Sequence, residues 1–224
     1  MSDKSPENIK KMFNEIAPKY DFMNNIISFG LHHIVKKIAV NKLTLKNDAA
    51  ALDLCCGTGD ISKILANKKW IKKVTGIDFS TTMLEIAKKK NYHNKIEYIN
   101  ADCLKLPFED NSFDVITIFF GLRNIPDKEK AIKEIYRVLK PDGEILHLDF
   151  QNGNRFLDFI FDFLAPVFAK ILTKTPDAYK YLVNSKQNFL KPNELKNMFS
   201  AYKLKQKSCF NFLLSTINAQ IFYK

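Results

Sequence analysis

Residues 52–60 read LDLCCGTGD, and the shape of this stretch decides the fold. A short apolar strand carries an acid, Asp53, at its end, and Gly57 and Gly59 follow at a fixed distance. Such a chain turns sharply out of a parallel sheet and brings bare backbone up to a nucleotide-like ligand, because glycine has no Cβ to obstruct the approach. The ligand then lies over the carboxyl end of the strand, where the next helix begins.

Two ligand classes compete for such a turn. A dinucleotide fingerprint needs G-x-G-x-x-G and places a diphosphate on the helix N-terminus. Here Ser62 holds the place of the third glycine. A carboxylate at Asp53 would repel a diphosphate but suit S-adenosylmethionine, which carries a sulfonium and an α-ammonium. Two further acids close later strand-like runs: Asp78 ends VTGID and Asp102 ends IEYINAD. Asp78 is placed to accept from both ribose hydroxyls. Asp102 is placed to accept from the adenine amino group, with the Cys103 backbone N–H facing a ring nitrogen. Each acid alone is equally readable as a turn or N-cap residue. Three at successive strand ends, in register with the glycines, form a far more specific pattern and favour S-adenosylmethionine.

The chain has 224 residues, enough for one well-buried α/β domain and few for two. Its net charge of +11 is almost all lysine, with arginine only at Arg123, Arg137 and Arg155. Nucleic-acid readers concentrate arginine and aromatic platforms in one patch. None is concentrated here, so the charge reads as a solvated surface with a mild attraction to anionic membranes. Cys55, Cys56, Cys103 and Cys209 make no C-x-x-C pair, and no histidine spacing completes a zinc site. Reduced, packing cysteines and an N-terminus without an apolar leader point to the cytoplasm. Adjacent Cys55 and Cys56 should face opposite ways.

Helical spacing of Met12, Phe13, Ile16 and Tyr20 predicts an opening helix, interrupted at Pro18 and followed by a loop over FMNNIISFG. A second amphipathic helix is expected over 32–43. From residue 49 strand and helix alternate: strands at 51–54, 74–77, 96–99, 113–119 and 144–150, and helices at 60–67, 81–91 and 128–139. Ser80 is the expected N-cap of the 81–91 helix. Pro141, Asp142 and Gly143 read as a turn. This order implies parallel βαβ units with right-handed crossovers. Residues 154–172 are dense in Phe, Leu and Ile, with Phe156, Phe159, Ile160, Phe163 and Val167 near one helical face. Asp158, Asp162, Pro166 and Lys170 break the run, so it is no transmembrane span. It reads either as a helix over the sheet edge or as an apolar lid over a lipid-like substrate. A helix at 192–199 and strands at 203–209 and 213–222 finish the chain as an antiparallel hairpin. The expected organisation is one domain over 1–224, with a helical cap at 1–45 and an apolar helical insertion at 151–200.

Six blocks together resemble the quinone-biosynthesis C-methyltransferases of the UbiE/MenG type, within the class I S-adenosylmethionine methyltransferases. They are FNEIAPKYDFMNNIISFGLHH, LDLCCGTGDIS, GIDFSTTML, NADCLKLPFEDNSFDVIT, FGLRNIPDKEKAIKEIYRVLKPDGEI and, more weakly, YKYLVNSKQNFLKPNEL. They fall in the family's order and span most of the chain. The second to fourth mark a methyltransferase in general; the Y-D-x-M-N segment with G-L-R-N narrows it to the quinone enzymes. The resemblance implies a Rossmann-like, seven-stranded, mostly parallel sheet with helices on both faces. It implies transfer of a methyl group to a ring carbon of a prenylated benzoquinol or naphthoquinol, and a homodimer or a complex of quinone-pathway enzymes as partners. By position, Thr58, Asp78, Asp102, Cys103 and Phe119 would line the cofactor site, joined by Asp53, Gly57, Gly59, Phe79 and Met83 from the same blocks. Many relatives have serine where Phe119 stands, and His-Arg-x-Trp-Arg where this chain has His32, His33, Ile34, Val35, Lys36 and Lys37.

The chemistry this implies needs a deprotonated ring hydroxyl ortho to the carbon that is methylated. Arg123 would stabilise the developing oxyanion and Asn124 orient it; the structural alternative pairs Arg123 with Asp127 or makes it a cap. Tyr20, Asp21 and Asn24 would close the cleft, and His32 or His33 serve as general base. His147, inside a strand, reads as structural. The rivals are an O- or N-methyltransferase of another small molecule, a nucleic-acid-binding protein and a non-catalytic assembly partner.

Overall fold

A computed structural model describes residues 5–151, 153–172 and 176–224 of the chain, without the side chains at 155–157, 160, 161, 165, 169, 171, 172 and 176. Its centre is a seven-stranded sheet of order β3-β2-β1-β4-β5-β7-β6. The strands are β1 (Ala49–Leu54), β2 (Ile71–Asp78), β3 (Ile96–Asn100), β4 (Phe113–Phe119), β5 (Leu139–Phe150), β6 (Lys205–Phe212) and β7 (Ile217–Tyr223). The first five pair in parallel; β7 runs antiparallel to both β5 and β6. The strand order reverses between β1 and β4, and such a switch point opens a crevice at the carboxyl ends of the strands.

Alternation along the strands feeds two cores. Ala51, Val74, Val115 and Leu146 pack on one face, and Leu52, Ile77, Ile116 and Ile145 on the other. Both faces are covered, as a parallel sheet requires. The adjacent cysteines divide as expected, Cys56 into the first cluster and Cys55 against the second. The helices are α1 (Pro6–Ser28), α2 (Leu31–Val40), α3 (Asp60–Ala66), α4 (Thr81–Lys89), α5 (Lys128–Val138), α6 (Arg155–Leu172), α7 (Pro176–Gln187) and α8 (Pro192–Ala201). Ser80 caps α4 as expected, its hydroxyl accepting from the Met83 amide at 3.2 Å.

Three local expectations are corrected. Pro18 does not interrupt the first helix, and FMNNIISFG is no loop: α1 runs through both to Ser28. A proline inside a helix costs about 3 kcal/mol. Met12, Ile16, Ala17 and Met23, on either side of it, are buried against Met83, Ala178 and Tyr179, and each large apolar side chain returns roughly 1.5–3 kcal/mol. The Pro141–Gly143 turn lies inside β5 as a bulge: pairing jumps from Phe113 opposite Leu139 to Val115 opposite Glu144, with Asp142 at φ 63°. Helix α7, inside the expected helical insertion but without bounds of its own in the sequence, buries Ala178, Tyr179 and Val183 together with the polar Ser185 and Lys186. That mixed face hides a helical period. Lys186 is tolerated inside because Asp158 and Asp162 of α6 stand 2.8 and 3.1 Å from its ammonium. Phe159, Phe163 and Val167 of α6 are exposed; Phe156 and Ile160 of the same expected face lie outside the described side chains. Among the described residues, no helix is long and apolar enough to cross a membrane.

Candidate functional site

The β1 exit is sharply bent. Cys55, Gly57 and Gly59 all take positive φ, at 54°, 54° and 84°. A Cβ on Gly57 would meet open space, whereas one on Gly59 would collide with the Tyr98 hydroxyl and stand 3.2 Å from the Ala87 Cβ. Gly59 therefore lets α3 start hard against β3, and Gly57 leaves bare backbone on the open side.

Two buried acids hold this turn. Asp53 accepts from the Ser62 hydroxyl at 2.6 Å and the Thr117 hydroxyl at 2.8 Å, joining β1 to α3 and β4. Asp78 accepts from the backbone N–H of Gly57 and of Ser80, both at 2.9 Å. Burial pushes each carboxyl up to about 6, against those hydrogen bonds.

A cavity of roughly 330 Å³ opens over the strand ends, within the size range of small-molecule sites. Of the expected cofactor residues, Gly57, Asp78, Phe79, Met83, Asp102, Cys103 and Phe119 line it, with Tyr20 and Asn124. Three do not. Asp53, bonded to Ser62 and Thr117 and 1% exposed, does not reach the cavity, so it braces the turn rather than facing a cation. Thr58 donates to Asp21 of α1 at 2.5 Å, and Gly59 packs on Tyr98. The cavity fits S-adenosylmethionine in its chemistry: two acids at strand ends, bare backbone at Gly57, and the apolar walls of Phe79, Met83 and Phe119.

A smaller cavity of about 80 Å³ adjoins it, sharing Tyr20 and Phe120 and adding Asn24, Ser28, His32, Arg123, Phe150 and Tyr179. Arg123 sits in the 3-10 turn Leu122–Asn124 that follows β4. It pairs neither with Asp127, which instead caps α5, nor with solvent. Its Nη1 donates to Asp149 Oδ1 at 2.5 Å and to the Phe120 carbonyl at 2.7 Å. The side chains of Arg123 and Asp149 are 6% and 1% exposed. Arg123 Nε, Asn124 Oδ1, Asp149 Oδ2 and the Tyr179 hydroxyl are buried with no partner among the described residues. Arg123 and Tyr179 line the smaller cavity and Asn124 the larger, and unmatched polar atoms on the walls of adjoining cavities mark a binding site more than a core.

His32 is held in one tautomer. The Ser28 hydroxyl gives its proton to the Asn24 carbonyl at 2.6 Å. Its 2.5 Å bond to His32 Nδ1 must therefore be donated by the ring, which leaves Nε2 as the acceptor. Burial, then Lys36 and His33, lower the imidazole to about 4, so it stays neutral at physiological pH. Tyr20 is pushed up by burial, opposed by the Arg123 cation. His147 is buried and lowered to about 3 by burial and Arg123, in keeping with a strand-core role. His33 lies outside this cavity, its Nε2 2.8 Å from Asn25 Oδ1. His32, His33 and Asp60 bring one donor atom each within 4.8 Å of one another, a grouping that spacing alone concealed. Lys36, 3.1 Å from Asp60, already supplies the positive charge there. Burial would raise the Asp60 carboxyl, but Lys36 and Lys90 win and hold it at about 2.

Sequence reasoning missed Asp149 and Tyr179. Asp149 is followed by Phe150, which ends β5, so it does not close its strand as Asp78 closes VTGID, and the strand-end pattern passed over it. Tyr179 carried no signal beyond its place in the weakest family block.

The ubiE/COQ5 methyltransferase family model matches residues 1–220. Demethylmenaquinone methyltransferases of Staphylococcus aureus strains Newman and COL are each 40% identical over 200 residues, covering 86% of this chain and 83% of theirs. A Thermotoga maritima S-adenosylmethionine-dependent methyltransferase superposes with TM-score 0.71 at 18% identity, covering 96% of this chain and 99% of that one. One from Aquifex aeolicus gives 0.62 at 17%, covering 84% and 88%. These two show the shared fold, the Rossmann-like architecture of S-adenosylmethionine-dependent methyltransferases. The chain belongs to the ubiE/COQ5 methyltransferase family, and S-adenosyl-L-methionine is its cofactor.

Gly59→Ala should destabilise the protein by about 1–3 kcal/mol, through strain at positive φ and the clash with Tyr98. Urea unfolding checks this; an unchanged midpoint would mean that the turn relaxes freely.

Proposed function

We propose that this chain methylates the unsubstituted ring carbon of a prenylated naphthoquinol, converting demethylmenaquinol to menaquinol. The observation that carries the proposal is a buried Arg123 cation, clamped by Asp149, in a cavity that adjoins the cofactor cavity and also holds a neutral His32. The names of the 40% identical relatives support the naphthoquinol over other acceptors. A prenylated benzoquinol carries the same hydroxyl-and-ring-carbon unit and is the second acceptor to assay.

Asp78 would accept from the ribose hydroxyls and Asp102 from the adenine amino group, beside the Cys103 backbone N–H. Phe79, Met83 and Phe119 exclude water around them. When bound, S-adenosylmethionine supplies a methyl group made electrophilic by its sulfonium. Much of the remaining barrier is then a matter of alignment, which positioning supplies. Arg123 favours ionisation of the ring hydroxyl ortho to the reacting carbon, raising electron density on that carbon. Asn124, whose Nδ2 donates to the Phe120 carbonyl at 3.3 Å, has Oδ1 available to orient the hydroxyl. His32 Nε2 receives the hydroxyl proton; its low basicity keeps it unprotonated, and Arg123 lowers the demand on it. The hydrogen on the methylated carbon then leaves as a proton, the ring oxygen is reprotonated from His32, and the aromatic quinol is restored. Tyr20 walls both cavities between donor and acceptor.

The prenyl tail needs an apolar exit. Phe29, Ile34 and Phe159 are 80%, 56% and 68% exposed, with Leu31, Ile38, Phe163 and Val167 beside them on α2 and α6. These faces and the +11 charge support a cytoplasmic protein that touches an anionic membrane surface peripherally.

Arg123→Ala should lower turnover of demethylmenaquinol roughly 100- to 1,000-fold while S-adenosylhomocysteine binding stays within about threefold. Unchanged turnover would remove Arg123 from the mechanism. Asp78 titrates near 6, and its ionised form is the acceptor for ribose. S-Adenosylhomocysteine binding should therefore weaken about tenfold from pH 7 to pH 5 as the carboxylate is protonated. Calorimetry at both pH values checks this, and equal affinities would contradict the ribose role.

A further inference from the structure

Tyr179 is 2% exposed, and its hydroxyl has no hydrogen-bond partner among the described residues. It lines the smaller cavity together with Arg123, Phe120 and Phe150. Helix α7, which carries it, packs against the 3-10 turn that holds Arg123 and Asn124. The two side chains thus stand on walls of one cavity but on separate elements. Leaving a phenol buried and unbonded costs roughly 1–3 kcal/mol, comparable to a lost core methyl group or two. Burial raises its pKa, and the nearby Tyr20 acts in the same direction. Tyr179 is accordingly a protonated donor at any pH the protein meets.

The cavity also has an apolar wall, made by two rings tilted 47° to one another. The Phe120 and Phe150 rings are 4.9 Å apart, and the Arg123 guanidinium lies 5.9 and 5.5 Å from their centroids. Arg123 has one Nη fixed on Asp149 and the Phe120 carbonyl, so it serves one ring oxygen from one side. A para-quinol has a second oxygen at the opposite end of its ring. If that oxygen entered the cavity with no donor to meet it, its desolvation would weaken binding.

We infer that Tyr179 donates a hydrogen bond to the ring oxygen para to the one at Arg123, and so selects acceptors oxygenated at both ends. This rests on the proposed quinol acceptor and deepens it: Arg123 activates, whereas Tyr179 measures the ring. A site built to hydrogen-bond a substrate hydroxyl rejects analogues that lack it far more strongly than an apolar pocket rejects a missing methyl. Tyr20, on the shared wall, separates the two functions from the cofactor side.

The test is a cycle of two proteins and two acceptors under anaerobic conditions. The acceptors are a 3-prenyl-1,4-naphthalenediol and the same ring without the 4-hydroxyl. Tyr179→Phe should lower kcat/KM for the diol roughly 10- to 100-fold and change it less than about threefold for the mono-ol. The ratio of ratios cancels the intrinsic reactivity of the two rings. S-Adenosylhomocysteine binding, unchanged by calorimetry, certifies that the variant is folded. Loss of equal size on both acceptors, or no loss on the diol, overturns the inference and leaves the proposed function standing. A wild-type protein that methylates neither ring overturns the function and this inference with it.

Discussion

The molecule is organised around the way β1 leaves its sheet. Within seven residues the chain takes three positive φ angles, at Cys55, Gly57 and Gly59, and it holds there because two buried carboxylates bond its surroundings. Asp53 ties β1 to α3 and β4, and Asp78 ties β2 to the Gly57 amide. Burial opposes the charge on both. For Asp53, with a folded value near 6 against 3.8, the folded state binds more protons through that window, so its contribution to stability is lost as pH rises from about 4 to about 6. The acid is retained for geometry at neutral pH, where its ionisation is a cost.

From that turn the constraint passes outward to the smaller cavity. Thr58, inside the turn, donates to Asp21 of α1, and Lys90 at the end of α4 pairs with the same carboxylate. Ser80 donates to Asn14 at 2.6 Å. Helix α1 is thereby pinned to the cofactor loops at two points and carries Tyr20 and Ser28 to the second cavity. On the far wall, Asp149 at the end of β5 fixes Arg123, and a buried ion pair of this kind is worth more as a positioning device than as a source of stability. The two cavities meet at Tyr20 of α1 and at Phe120 just beyond β4.

Much of this was legible in the chain. The strand–glycine–helix stretch at 52–60 and the acids Asp78 and Asp102 pointed to the sheet and to part of the lining of the larger cavity, because local pattern and strand-end chemistry coincide there. Pro18 misled because its helix is held by burial against α4 and α7, which no local propensity records. Asp53 was legible as an acid at the right place, but its partners Ser62 and Thr117 arrive from other elements and turn it inward. Asp149 and Tyr179 were hidden for the same reason: each acquires its role from a residue 26 or more positions away in sequence, Arg123 for one and the shared cavity for the other. The tautomer of His32 depends on where a single serine proton goes, which only coordinates reveal.

The central claim is that this site directs a methyl group to ring carbon and not to ring oxygen. The direct measurement supplies purified protein with S-adenosylmethionine carrying a carbon-13 methyl group and with reduced prenylated naphthoquinol, and reads the product by NMR. The account predicts the label as an aryl-bound methyl on the formerly unsubstituted carbon. A methoxy signal, or a product without label, would contradict it.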